Sequence, residues 1–152
     1  SHSESNSDRR TIFRRLDQGF IYLLIIGTMT PFLLAYFAGA RSYWILVISW
    51  AVAIVGFGSK VFFAHRVNRV SVVSYIALGW IPPLAVLPVD LNEVPLGPLV
   101  AIVLGGFLYT LGTYFLYFDR KAWYYHSIWH LFVLAAASVH YLAVLHLFNG
   151  SL

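Results

Sequence analysis

Apolar and polar positions divide the chain into five long apolar runs separated by short charged breaks. The first, QGFIYLLIIGTMTPFLLAYFAGA, lies between Asp17 and Arg41, and the second, SYWILVISWAVAIVGFGS, between Arg41 and Lys60. The third, VSVVSYIALGWIPPLAVLPV, ends at Asp90; the fourth reaches from Val94 to Phe118, and the fifth from Ala122 almost to the C-terminus. Each is near the ~20 residues that an α-helix needs to cross about 30 Å of hydrocarbon. None sustains a two-residue alternation, and all are too long for barrel strands. The pattern predicts an all-α, polytopic membrane helix bundle with five transmembrane helices over 18–40, 42–64, 70–89, 94–118 and 122–148. Residues 1–17 read as a cytoplasmic segment ahead of the first helix, and with no repeat or low-complexity linker 1–152 forms a single domain.

Composition agrees with the pattern. The chain is 60% hydrophobic and only 11% charged, against about 25% charged residues in a soluble domain, and its mean hydropathy is +0.76. Pro31, Pro82, Pro83 and Pro88 interrupt or end apolar runs, which membrane bundles tolerate where neighbours satisfy the freed backbone groups. Gly56, Gly58, Gly105, Gly106 and Gly112 are expected to let helices approach closely. There is no cysteine, so disulfides and thiolate metal ligands are excluded.

The net charge of +4 does not indicate nucleic acid, because the basic residues sit in short breaks between apolar runs, where membrane topology accounts for them. If the five runs alternate in direction, one side receives Arg9, Arg10, Arg14, Arg15, Lys60, Arg66, Arg69, Arg120 and Lys121, and the other only Arg41. Nine basic residues against one predicts a cytoplasmic N-terminus and an extracytoplasmic C-terminus. The opening SHSESNSDRRTIFRR has no apolar core before its charges and is not a signal peptide. Ser1 is not a start residue and the only methionine is Met29, so an upstream segment is expected.

Candidate chemistry gathers on the cytoplasmic side. His126 and His130 open the fifth run four residues apart, on one helix face and about 6 Å apart in rise, a spacing that lets two imidazoles share a metal. Interfacial histidines touching lipid headgroups have the same pattern. Asp17 stands at the mouth of the first run, where a carboxylate also complements a helix N-terminus. His2 lies upstream on the same side. His140 is ten residues beyond His130, about 15 Å along the helix and too far to share its metal; an interhelical hydrogen bond is its expected role. His65 and His146 read as solvated surface.

The combination of SHSE, FRRLDQGFIYLLIIGTMTPFLL, GGFLYTLGTYFLY and HSIWHLFVLAAASVHYLAVL resembles the hemolysin III proteins. These belong to the progestin and adipoQ receptor family, which includes the adiponectin receptors, and the likeness is closer to the bacterial members. The resemblance covers essentially the whole chain. It implies a seven-helix bundle, two of whose helices precede Ser1, with a zinc ion near its cytoplasmic side. It implies His2, His126 and His130 as the zinc ligands and Asp17 as the acid that holds a water at the metal.

Three imidazoles leave zinc an open position, the ligand count of a catalytic site. The function implied is zinc-dependent hydrolysis of a lipid amide or ester, ceramide-like by family analogy, with Asp17 moving the proton. The alternative is a receptor or regulator of lipid homeostasis with a structural zinc. A pore-forming cytolysin is disfavoured, since no ring of charges lines an aqueous path. The expected partners are a membrane lipid or fatty acid inside the bundle and a second copy of the chain, with no nucleic acid. The expected location is a bacterial inner membrane.

Overall fold

No glycine or proline occurs before Gly19, so nothing in the chain stops the first apolar helix from extending back through the polar residues ahead of it. In the computed structural model it does so. Residues 2–36, 39–63, 69–86, 95–119 and 121–149 are described, with the side chains of 2–10, 69, 86 and 147–149 excepted. Helix α1 runs His2–Tyr36, α2 Ala40–Gly58, α3 Arg69–Val86, α4 Leu96–Tyr117 and α5 Tyr125–Asn149. Beyond Gly58, α2 widens into a π-helical turn, Ser59–Phe63. Among the described residues there is no strand, as the apolar pattern predicts.

Four helices are long and apolar enough to cross a membrane: Thr11–Tyr36, Ala40–Phe63, Leu96–Tyr117 and Tyr125–His146. Val70–Ala85 is a shorter apolar helix, about 24 Å long. The outward faces carry Trp44, Val55, Phe63, Leu96 and Leu131, all largely exposed. In water such a surface would be an aggregation liability; against lipid tails it costs nothing.

The most buried of the four long helices is α1, which contributes Ile21, Tyr22, Ile25, Ile26, Met29, Phe32 and Leu33 to the core. Small residues let its neighbours close in. A Cβ on Gly56 would fall 2.6 Å from the Tyr22 ring, and one on Gly19 2.9 Å from Phe57, so each glycine lets an aromatic ring of the facing helix lie directly on its backbone. On α4, Gly112 lies under Trp129 and Gly105 under His140, both on α5, while Gly106 lies under Trp80 of α3.

Polar side chains join the helices at intervals. Trp50 Nε1 donates to Thr30 Oγ1 at 3.2 Å, Trp80 Nε1 to Thr110 Oγ1 at 3.0 Å, and Tyr75 OH to the Gln18 carbonyl at 3.0 Å. Tyr22 OH and Ser74 Oγ are 2.6 Å apart. Each such contact contributes about 0.6 kcal/mol within a bundle in lipid, so together they set helix rotation more than stability. Lys60, buried in the π-helical turn, donates to Ser71 Oγ.

Candidate metal centre

The site is assembled from the first and last helices. Trp129, 1% exposed, lies over Gly112 of α4, which fixes the rotation of α5. His126 and His130, three residues before and one after it, then face α1. The α4–α5 connection is tightened by turns in which Lys121 N–H donates to the Phe118 carbonyl at 2.8 Å and Tyr125 N–H to the Ala122 carbonyl at 3.1 Å. Accordingly α5 begins at Tyr125, three residues later than its apolar run. Asp17 lies beside His126 and, further along both helices, Phe32 beside His140, so α1 and α5 run parallel.

His126 Nε2 and His130 Nε2 are 3.1 Å apart, with rings crossing at 88° and centroids 4.7 Å apart. Asp17 Oδ2 lies 3.3 Å from His126 Nε2, and Asp17 Oδ1 3.7 Å from His130 Nε2. Two lone pairs facing one another at 3.1 Å repel, so a proton or a cation must lie between these nitrogens. Asp17 Oδ2 is buried and makes no hydrogen bond, an arrangement that costs about 1–3 kcal/mol unless something fills it.

The dimensions suit one small cation. Donors held 2.0–2.1 Å from a tetrahedral zinc are about 3.3 Å from one another; here the two Nε2 atoms are 3.1 Å apart, with one Asp17 oxygen 3.3 Å from His126 and the other 3.7 Å from His130. One ligand atom from each of Asp17, His126 and His130 lies within 4.8 Å of the other two, so the three can hold one ion once the Asp17 carboxylate turns toward it.

Two further side chains adjoin this cluster. Asp119, in the α4–α5 connection, accepts a charge-assisted hydrogen bond from Arg14. Its Oδ2 is 3.8 Å from His126 Nδ1. Phe13, Arg14, Asp17, Asp119, Trp123, His126 and His130 line an open cleft of about 620 Å³. Neither Arg14 nor Asp119 stands out in the sequence, where Arg14 reads only as one of the topology-setting basic residues. The only signal was that Asp119, the one acid between the fourth and fifth apolar runs, falls seven residues before His126.

The other candidates separate from this centre. The backbone of His2 opens α1, fifteen residues or about 22 Å of helical rise before Asp17; its side chain lies outside the described residues, as does the whole of His65. His146 is exposed. His140 is buried between Phe32 and Tyr109, with ring centroids 5.6 and 6.0 Å away. Its ring lies against the backbone of Ala101 and Ile102, yet neither nitrogen meets hydrogen-bond geometry. Packing over Gly105 holds it, in place of the interhelical hydrogen bond expected from its position.

Comparison with known proteins finds relatives over most of the chain. The chain is 37% identical over 144 residues to the hemolysin-3 homolog of Bacillus subtilis, covering 95% of this chain and 67% of that protein. It is 38% identical over 144 residues to hemolysin-3 of Bacillus cereus, covering 95% and 65%. The human monocyte to macrophage differentiation factor is 29% identical over 145 residues, covering 93% and 59%. The chain thus spans about two thirds of the length of the curated bacterial relatives it matches. No solved structure matches it. The profile of the haemolysin-III-related proteins matches residues 1–141, and with its apolar helices the chain belongs to that membrane-protein family.

Proposed function

We propose that this chain carries the metal centre of an integral membrane zinc hydrolase that cleaves a lipid amide or ester. The observation that supports it is the meeting of Asp17, His126 and His130 at ligand separations. Imidazole-rich donor sets favour zinc, whereas magnesium and calcium take oxygen ligands. His126 and His130 hold the ion in this assignment; His2, the third imidazole that the resemblance implies, joins them only if the turns of α1 ahead of Asp17 fold back, since along the continuous helix it lies about 22 Å away. Zinc held there supplies Lewis-acid chemistry, polarising a carbonyl oxygen and making water acidic near neutral pH.

The chain's own residues do the rest. Asp17, half-buried beside both imidazoles, accepts the proton of an attacking water and returns it to the leaving nitrogen or oxygen. An apolar groove of about 430 Å³ opens at Asp17 and His130 and is walled by Phe20, Leu24, Trp129 and Val133. Such a wall holds an acyl chain, each buried methylene contributing about 0.8 kcal/mol, with the polar linkage left at the mouth. The basic asymmetry supports a cytoplasmic N-terminus, and the two Bacillus relatives support a bacterial plasma membrane.

One observation favours a second reading, a receptor or regulator with structural zinc. Asp17 stands at distances from the two Nε2 atoms that suit a ligand as well as a base. With a third imidazole it would close a four-coordinate site, which is the structural pattern. Asp17→Asn separates the two. Under hydrolysis the variant keeps its zinc and loses about 10²–10⁴-fold in rate, because an amide cannot take the proton. Under closed coordination it loses zinc affinity and has no turnover to lose. The measurement is fatty-acid release from labelled ceramides and phospholipids in detergent by wild type, Asp17→Asn and metal-stripped protein. Equal release from all three, or none from wild type, refutes the hydrolase.

A further inference from the structure

Each candidate ligand has a second ring nitrogen or oxygen, and what meets that second atom decides how the first is aimed. For His126 the second atom is Nδ1. It is buried and without a hydrogen bond, and Asp119 Oδ2 faces it at 3.8 Å. Its Nε2 is the atom that faces Asp17 and His130. We propose that Asp119, held by Arg14, is the positioning residue for His126, receiving the Nδ1–H so that the Nε2 lone pair points into the metal centre. This rests on the metal reading above.

Three features support it. First, an imidazole that ligates through Nε2 must carry its proton on Nδ1, and a carboxylate is the acceptor that most strongly favours that tautomer. At 3.8 Å the contact is too long to be a hydrogen bond; a small ring rotation or a shift of the α4–α5 connection closes it. Second, the Asp119 side chain is only 5% exposed. A carboxylate so deeply placed needs a fixed counter-charge, and Arg14 provides it. Third, Arg14 stands one helical turn before Asp17. The Arg14–Asp119 pair therefore locks the turn of α1 that carries Asp17 to the connection that leads into His126. One ion pair thus sets both halves of the centre.

A plain interhelical salt bridge would have the same geometry, so the test must read the metal. Zinc affinity of the purified protein is measured by competition with a chromophoric chelator, and the Co(II)-substituted protein supplies a d–d spectrum. Asp119→Asn is expected to weaken zinc about 10–100-fold, as loss of a ligand's supporting carboxylate does, and to shift the Co(II) bands. Asp119→Glu, which keeps the carboxylate, is expected to recover most of the affinity. In a His126→Ala background Asp119→Asn should have no further effect, whereas in a His130→Ala background its effect should persist.

Wild type that binds no zinc overturns the metal reading and this inference with it. Wild type that binds zinc, with Asp119→Asn equal to it in affinity and spectrum, overturns the positioning role alone. An undiminished effect of Asp119→Asn in the His126→Ala background does the same. If Asp119→Asn does not fold, Arg14→Gln carries the test. It leaves the carboxylate charged but unheld, and several-fold weaker zinc with shifted bands is expected; unchanged zinc binding overturns the proposal.

Discussion

Gly105→Ala adds one methyl group where the bundle has no space for it. The new Cβ would lie 2.5 Å from Cδ2 and 2.7 Å from Cε1 of His140, and closer still to Nε2. Carbon atoms in contact prefer about 3.5–4.0 Å, so the ring would have to retreat by about 1 Å. Its retreat is restricted: His140 is 1% exposed, with Phe32 and Tyr109 against it, and space beside it lies in the groove toward Thr28 and Pro31. Overpacking of this kind costs about 1–3 kcal/mol, and overlap with three ring atoms argues for the upper end. Replacing a helical glycine by alanine returns about 1 kcal/mol of helix propensity. The net expectation is a loss of about 2 kcal/mol, measured by reversible unfolding in mixed micelles. Gly27→Ala is the control, since nothing lies within 4 Å of its added Cβ; it should be neutral or slightly stabilising. Adding His140→Ala to Gly105→Ala removes the clashing ring, so the double variant should lose less than the sum of its parts. A Gly105→Ala protein as stable as wild type, or a strictly additive double variant, would refute this packing of α4 on α5.

Two other predictions concern the metal and the membrane. Purified protein should carry about one zinc per chain; His130→Ala should lower that strongly, while His65→Ala and His140→Ala should not, and equal zinc in wild type and the His126→Ala/His130→Ala variant would remove the ligand assignment. A reporter fused after Leu152 should behave as extracytoplasmic, because the basic residues fall nine to one on the other side; cytoplasmic behaviour in an intact protein would reverse the orientation.

The apolar runs located the helices because a membrane span is a property of about 20 consecutive residues and needs no partner to be recognised. His126 and His130 were legible for a similar reason: a spacing of four fixes two side chains to one face. Asp17 was legible from its place at a span boundary. Arg14 with Asp119, and His140 over Gly105, were not. Those contacts depend on how helices rotate about their axes. In a bundle whose outside is as apolar as its core, the hydrophobic pattern carries little information on which face turns inward. The backward extension of α1 was hidden too, since polar residues ahead of an apolar run read equally as loop or as solvated helix.

The ion pair that closes α1 onto the α4–α5 connection joins residues 105 positions apart, and the donors around Asp17 come from the first and last helices of the chain. Helices enter a bilayer in the order of their synthesis, so no earlier insertion intermediate can bring these donors together. An ion that binds only the finished arrangement stabilises it by mass action and leaves every unfinished one unaffected. Metal availability would then act only after α5 has been inserted, drawing that helix into register against α1 and deciding how much of the inserted protein matures.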